Sequence, residues 1–308
     1  MSKNMLFILM FLFCSLAACS GEAVPATETS AEEGQGGVLV VGDISDEVAE
    51  TIKGTQPLAD YLATRLSAYG IDQAEVKIAP NLDTMIQMIE NGEVDLYFDS
   101  PYPILVISKA TGAEPILRRL KYGVSEYHSL FFVQADSELE SLEDLKGNMV
   151  AFEESFSTSG YMLPLSYLVE QGMNPVEREG LDTAVSNNEI GYTFSTADDT
   201  TIQWVISGRV PVGVIDNVTF GRLPEETQAE LKIIAATENV PRQLVLVRPG
   251  LNPDLVTALE TELLAMDENE EGQQALEIFL TTEFDTFPEG PEAALSRMDA
   301  LYELVQDR

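Results

Sequence analysis

The chain has 308 residues, 52 acidic against 17 basic, one histidine, and a formal net charge of −35. Such a balance excludes a nucleic-acid or anionic-lipid face as the basis of function, because both partners repel an acidic surface. The acidic residues are dispersed along the chain, as on a solvated surface, and a single histidine excludes a histidine-based metal cluster.

Residues 1–18 read as a lipoprotein signal peptide. Lys3 supplies a positive start, and residues 5–13 form an apolar run too short to span as a mature helix. Leu16, Ala17, Ala18 and Cys19 match the bacterial lipobox, and that resemblance implies cleavage before Cys19 and a lipid on its thiol. Residues 19–37 then lack aromatic residues and apolar periodicity, so they are expected to be a flexible tether. The second cysteine, Cys14, leaves with the leader, so the mature domain is expected to have no disulfide.

From residue 38 on, β-rich runs alternate with helical patterns. Strands are predicted at 38–43, 74–80 and 94–99, with helices over 57–70, 84–92 and 103–113. The run Ala113-Glu114-Pro115-Ile116-Leu117-Arg118-Arg119-Leu120-Lys121 holds a further strand, as do 128–134, 148–154, 192–195 and 210–216. Helices are expected over 141–147, 161–172 and 199–208. Two more strands follow near residues 231–237 and 243–249. A helix over 253–266 and a mostly helical stretch over 270–307 complete the chain. The alternation predicts an α/β fold with parallel sheets, long enough for two of them. In open α/β sheets, ligands bind beyond the carboxyl ends of the strands.

Those ends carry the informative residues. After the strand at 148–154 come Ser157, Thr158, Ser159, Gly160 and Tyr161, leading into a helix. Hydroxyls beside a helix start can either cap the helix or, with its free amides, cradle an anion without any Lys or Arg. Ser100, a good N-cap, stands with Tyr102 at a second strand end. Asp198 and Asp199 precede a third helix, where they serve either as ordinary dipole partners or as acceptors for a protonated oxyanion or a ligand amine. Asp216 ends a fourth strand, and Ser45 follows the first. Arg118, Arg119 and Lys121 form the densest basic cluster; their place on a permease-facing surface, in a cleft or on plain surface stays open at this point. No G-x-S-x-G elbow, Walker loop or Rossmann fingerprint is present, and His128 heads an apolar strand, which suits a structural role. No enzyme activity, cofactor or metal is expected.

The motifs at 57–62, 90–103, 123–133, 141–164, 206–210 and 214–216 give the chain a recognisable look. They resemble the solute-binding lipoproteins of phosphate/phosphite/phosphonate ABC transporters, which have the type II periplasmic-binding fold. The resemblance implies two α/β lobes on two crossover strands, lobe one at 38–127 plus 243–308 and lobe two at 128–242. It implies an oxyanion held by Ser157, Thr158, Ser159, Gly160 and Tyr161, with Ser100 and Tyr102 on the other lobe and Tyr127 near the hinge. Many members carry a His-Asp or His-Glu pair where this chain has Asp198 and Asp199, so an acceptor replaces a donor. The expected function is capture of a phosphonate, phosphite or phosphate for an ABC permease, by a monomer fixed through Cys19 to the outer face of a membrane or in the periplasm. A ligand sensor for a membrane kinase, or a binder of a sulfonate, carboxylate or pyrimidine, is the alternative.

Overall fold

A computed structural model describes residues 37–306, so the expected signal peptide, Cys19 and all of the tether but Gly37 lie outside the described residues. The described residues belong to one compact unit. Two six-stranded sheets organise it.

The first sheet runs, edge to edge, β14 (Thr281–Asp285), β4 (Glu114–Lys121), β13 (Gln243–Val247), β3 (Leu96–Asp99), β1 (Gly37–Ile44) and β2 (Ile71–Ala79). β1 lies parallel to β2 and β3, whereas β13 is antiparallel to β3 and β4, and β14 is antiparallel to β4. The second sheet runs β11 (Leu231–Ala236), β6 (Ser129–Gln134), β10 (Val212–Asp216), β7 (Met149–Phe152), β9 (Ile190–Phe194) and β8 (Pro175–Glu177). Here β7, β8, β9 and β10 are parallel, and β6 is antiparallel to β10 and β11. The sheets are therefore mixed rather than parallel throughout. A strand that returns from the other sheet enters at the opposite end, which reverses its direction. A short antiparallel ribbon, β5 (Glu126–Tyr127) with β12 (Val240–Pro241), lies where the chain passes from one sheet to the other.

Helices cover both faces of the first sheet, so its inner strands are apolar on both sides. Leu39 and Val41 of β1 pack with Leu58, Leu62, Leu259 and Phe279 on one face. Val40 packs with Met85, Ile89, Ile104 and Ile107 on the other. The helices responsible are α1 (Val48–Arg65), α2 (Leu82–Glu90), α3 (Pro101–Thr111), α8 (Pro253–Leu264) and α9 (Glu270–Ile278). On the second sheet, α4 (Leu163–Glu170) and α5 (Asp198–Ile206) take opposite faces, with α6 (Asn217–Arg222) and α7 (Glu225–Ala229) beside β10 and β11. The last helix, α10 (Pro291–Glu303), places Met298 and Leu301 in the cluster of the second sheet, beside Leu105 of α3.

Several boundaries differ from the sequence reading for physical reasons. α1 begins nine residues before Pro57, which sits inside it. The stretch after residue 270 is not one helical run. β14 interrupts it, because Phe284 fits against Phe98 and Thr281 receives a hydrogen bond from Arg119. Before α4 the chain makes a π-helical turn, Thr158–Met162.

Candidate functional site

The carboxyl ends of β3, β7, β9 and β10 converge on one cavity of about 300 Å³, as the strand-end rule requires. Its lining includes Asp99, Ser100, Tyr127, Glu153, Glu154, Ser157, Ser159, Asp198, Asp216 and Thr219, with Lys121, Tyr122, Arg242 and Gln243 from the crossover side. Ser100, Tyr127, Ser157, Ser159, Asp198 and Asp216 were singled out in the sequence, and the fold brings them together.

The other four candidates, Thr158, Gly160, Tyr161 and Tyr102, stand behind this wall. The Thr158 hydroxyl donates to Ser100 Oγ at 2.9 Å and accepts from the Tyr102 amide at 2.9 Å. Pro101 and Pro103 have no N–H, so the Tyr102 amide is the donor that the first turn of α3 offers, and Thr158 takes it. Tyr161 stacks into an aromatic cluster with Tyr102, Phe152, Tyr192 and Phe194. A Cβ on Gly160 would meet Glu153 Cβ at 2.4 Å, so only glycine lets the two segments approach this closely.

Polar groups fix the remaining residues. Ser157 Oγ accepts from the Gly160 amide at 2.9 Å and donates to Glu153 Oε2 at 2.7 Å. Ser129 Oγ donates to the Ser159 carbonyl at 2.7 Å. Asp216 caps α6, accepting from the Val218 and Thr219 amides at 2.8 and 3.0 Å and from Thr219 Oγ1 at 2.7 Å. Thr219 Oγ1 also reaches Asp198 Oδ2 at 3.4 Å, so one hydroxyl spans two carboxylates. Asp99 accepts from Tyr97 Oη and from the Ser100 amide, the latter at 2.6 Å. Thr196 holds a left-handed backbone, φ 71°, unusual for a β-branched residue; its amide donates to the Glu153 carbonyl at 2.9 Å and so sets the approach to Asp198. Ser195 points inward to Thr201, Asp199 lies exposed outside the cavity, and Ser45 accepts from the Glu47 amide at 3.0 Å without lining the site. His128 is structural: its ring meets Asn239 Oδ1 at 2.8 Å.

The expectation of a cradle without Lys or Arg is corrected. Lys121 and Arg242 line the cavity, and the Arg242 guanidinium lies 4.3 Å over the Tyr127 ring. The basic cluster of β4 divides three ways. Arg118 pairs with Asp285 at the sheet edge. Arg119 is buried over the Phe279 ring, with Nε donating to Thr281 Oγ1 at 2.7 Å. Lys121 turns to the cavity. Burial lowers Lys121 to about 8, helped by the positive charges of Arg119 and Arg242. Burial also lowers Arg119 to about 9, against the pull of Asp43 and Asp99.

The acidic groups move the other way. Burial raises Asp198 to about 8, with Glu153 and Asp216 adding repulsion. Burial raises Glu154 to about 7, with Glu153 next, and burial and Asp99 raise Asp43 to about 6. Tyr127 rises to about 12, chiefly by burial. Sequence reasoning missed Asp99, Glu153, Glu154, Thr219, Tyr122, Arg242 and Gln243, and had left Lys121 open among a cleft, a permease-facing surface and plain surface. The pair Glu153-Glu154 at a strand end beside the hydroxyl run was a readable signal. Arg242 and Gln243 had none, since their place depends on the second crossover.

The sequence profile of a family described as "ABC transporter, phosphonate, periplasmic substrate-binding protein" matches residues 42–289. The chain belongs to this family. The phosphate-import protein PhnD of Mycolicibacterium smegmatis is 24% identical over 276 residues, 82% of this chain and 78% of that protein. Two structures of XAC2383 from Xanthomonas citri, one bound to chloride ion and one to ATP, are each 28% identical. They cover 88% of this chain and 99% and 98% of theirs, with TM-scores of 0.84 and 0.83. PhnD1 from Prochlorococcus marinus in complex with methylphosphonate covers 88% of this chain and 99% of its own at a TM-score of 0.67 and 18% identity, a likeness of fold. The fold is the type II periplasmic-binding fold. Membership makes the chain the periplasmic substrate-binding component of an ABC importer, with a small-molecule ligand and a permease as partners, and not an enzyme.

Proposed function

We propose that this binding protein captures a small phosphorus oxyanion, a phosphonate, phosphite or phosphate, in the cavity between its two sheets. The observation that carries the reading is one cavity in which Lys121 and Arg242 face the hydroxyls of Ser100, Tyr127, Ser157 and Ser159. Charge-assisted donors and hydroxyls together suit an oxyanion in a site with little water. The volume, about 300 Å³, is at the small end for ligand cavities and suits a phosphonate better than a nucleotide. Asp198 and Asp216 accept a hydrogen from a monoprotonated oxyanion or pair with a ligand amine. Thr158, Gly160, Tyr161 and Tyr102 hold the wall in place.

In this reading residues 38–127 plus 243–308 and residues 128–242 are two lobes that close on the ligand about the β5–β12 ribbon, as hinged binding proteins do. The chain is a monomeric lipoprotein: residues 1–18 direct export, Cys19 carries the lipid, and residues 19–37 tether the domain to the outer face of the membrane.

Calorimetric titration of the chain from Ser20 onward, which contains the whole compact unit, tests the ligand. The panel is phosphate, phosphite, methylphosphonate, 2-aminoethylphosphonate, sulfate, chloride and ATP. Tight binding of one phosphorus anion, weakened in Lys121→Met, is the expected result. Silence from phosphate, phosphite and both phosphonates with the protein folded refutes the reading. Mass spectrometry of the membrane fraction tests the lipid on Cys19.

A further inference from the structure

We infer that Glu153 is a specificity-determining residue of the cleft: its carboxylate takes the Ser157 hydroxyl at the start of the π-helical turn, and a ligand oxyanion shares that place only when one added proton lies between the two. The inference rests on the proposed binding of a phosphorus oxyanion in this cavity.

The geometry is a short hydrogen-bond chain. The Gly160 amide donates to Ser157 Oγ at 2.9 Å, and Ser157 Oγ donates to Glu153 Oε2 at 2.7 Å. Two of the donors that the sequence assigns to a ligand, the Gly160 amide and the Ser157 hydroxyl, therefore end on an internal carboxylate, while the Thr158 hydroxyl goes to Ser100 Oγ. Glu153 is pinned at its backbone, its amide donating to the Gly160 carbonyl at 3.0 Å and its carbonyl accepting from the Thr196 amide at 2.9 Å. Its side chain lies against Gly160, where a Cβ would come within 2.7 Å of Oε2. The Glu153 carboxylate can leave this seat only by side-chain rotation, not by moving its backbone.

The surroundings favour a proton over displacement. Asp99 faces Glu153 from β3, Asp216 from β10, Asp198 from α5 and Glu154 from the next position, while Arg242 opposes them from the crossover and Lys121 lines the same cavity. Burial raises the Glu153 carboxyl, Ser157 and Arg242 lower it, and Asp216 and Asp99 raise it further. Two oxyanions at hydrogen-bond distance in a buried site do not both stay ionised, because repulsion and desolvation make one of them take a proton. The complex then holds one hydrogen between a Glu153 oxygen and a ligand oxygen. It comes from solvent when the ligand arrives fully ionised, and from the ligand's own P–OH when it arrives monoprotonated. The cleft thus selects the protonated oxyanion, and affinity rises as pH falls, by at most about tenfold per pH unit for one linked proton.

The test is calorimetric titration of methylphosphonate at pH 8 in two buffers of different ionisation enthalpy, on the wild-type chain from Ser20 onward and on Glu153→Gln. The heat difference between buffers counts protons taken up on binding, and the ligand's own titration is common to both proteins. The wild type is expected to take up more protons than Glu153→Gln, the difference approaching one. The variant, whose carboxamide donates without a proton, is expected to bind about tenfold tighter at pH 8.5 and to lose that part of the pH slope. Equal proton counts overturn the inference while leaving the proposed ligand class intact, as does loss of the uptake in Asp198→Asn but not in Glu153→Gln. Failure of the folded wild type to bind any phosphorus anion overturns the ligand class and this inference with it. If Glu153→Gln does not fold, Glu153→Asp, which withdraws the carboxylate from Ser157, must change the proton count, and an unchanged count is the refuting result.

Discussion

Thr158 is 1% exposed and joins the two sheets through a single hydroxyl, to Ser100 Oγ and to the Tyr102 amide, each at 2.9 Å. Thr158→Val keeps the shape and removes both hydrogen bonds. Each is worth about 1 kcal/mol net, so the loss is about 2 kcal/mol, with the Tyr102 amide left without its acceptor. That cost falls only on the arrangement in which the sheets meet across the cavity, since an opened form gives these groups to water. If the two lobes close as proposed, a penalty of about 2 kcal/mol lowers the ratio of closed to open protein by about 30-fold, and apparent ligand affinity follows. Small-angle scattering of the ligand-free variant is expected to show a larger radius of gyration than the wild type. Titration is expected to show affinity reduced by up to about 30-fold. If affinity falls while the ligand-free radius is unchanged, Thr158 acts by touching the ligand and the latch argument is refuted. If neither changes, the two hydrogen bonds carry no closure energy at all.

Other substitutions probe charge and packing. Asp198 titrates near 8 in the folded protein against an ordinary value of 3.8, so its contribution to stability is fully present below about pH 4 and is lost as pH rises through 8. Asp198→Asn is therefore expected to be more stable than wild type by about 1–2 kcal/mol at pH 8, after allowance for partial exposure, and nearly equal to it at pH 4; thermal melts at the two pH values decide it. Lys121 loses its charge as pH rises through about 8, so Lys121→Met is expected to weaken oxyanion binding about 10–100-fold at pH 7 and far less at pH 9, read by titration. Gly213→Ala places a Cβ 2.6 Å from Phe132 Cζ and 2.9 Å from Thr201 Cγ2 and Val205 Cγ2. It is expected to cost about 1–3 kcal/mol in urea unfolding, without change in ligand affinity. Phe98→Ala removes a ring packed 5.3 Å from that of Phe279 and 5.9 Å from that of Phe284, and about 3–5 kcal/mol of stability should go with it.

Local pattern carried much of the fold. The apolar runs at 38–43, 94–99 and 210–216 became buried inner strands because each lies between two helical layers, and such strands announce themselves by composition. What local pattern could not carry was strand direction. Nothing in Gln243–Val247 says that it enters between β3 and β4 running against both, because that depends on where the chain has just been. β14 was hidden for a related reason. Thr281–Asp285 has the composition of a loop or helix end, and it becomes a strand because β4 offers an open edge and the Arg119 guanidinium needs the Thr281 hydroxyl and the Phe279 carbonyl.

The site divides along the same line. The hydroxyl run 157–159 and the strand-end residues Ser100 and Asp216 were readable because a short segment contains both the strand end and the helix start that expose them. The charges that face them were not. Lys121 and Arg242 are 121 positions apart in the sequence and line one cavity only because β4 and the β12–β13 connection end beside it. Their presence replaces neutral recognition with a cavity lined by five carboxylates and two cations. Burial then does what distance from bulk water always does to like charges: it forces some to be neutral, raising Asp198 and Glu154 and lowering Lys121 toward the same narrow range around pH 7–8. On the proposed ligand class, a cleft poised in that range is expected to discriminate among phosphorus oxyanions by the hydrogen they carry.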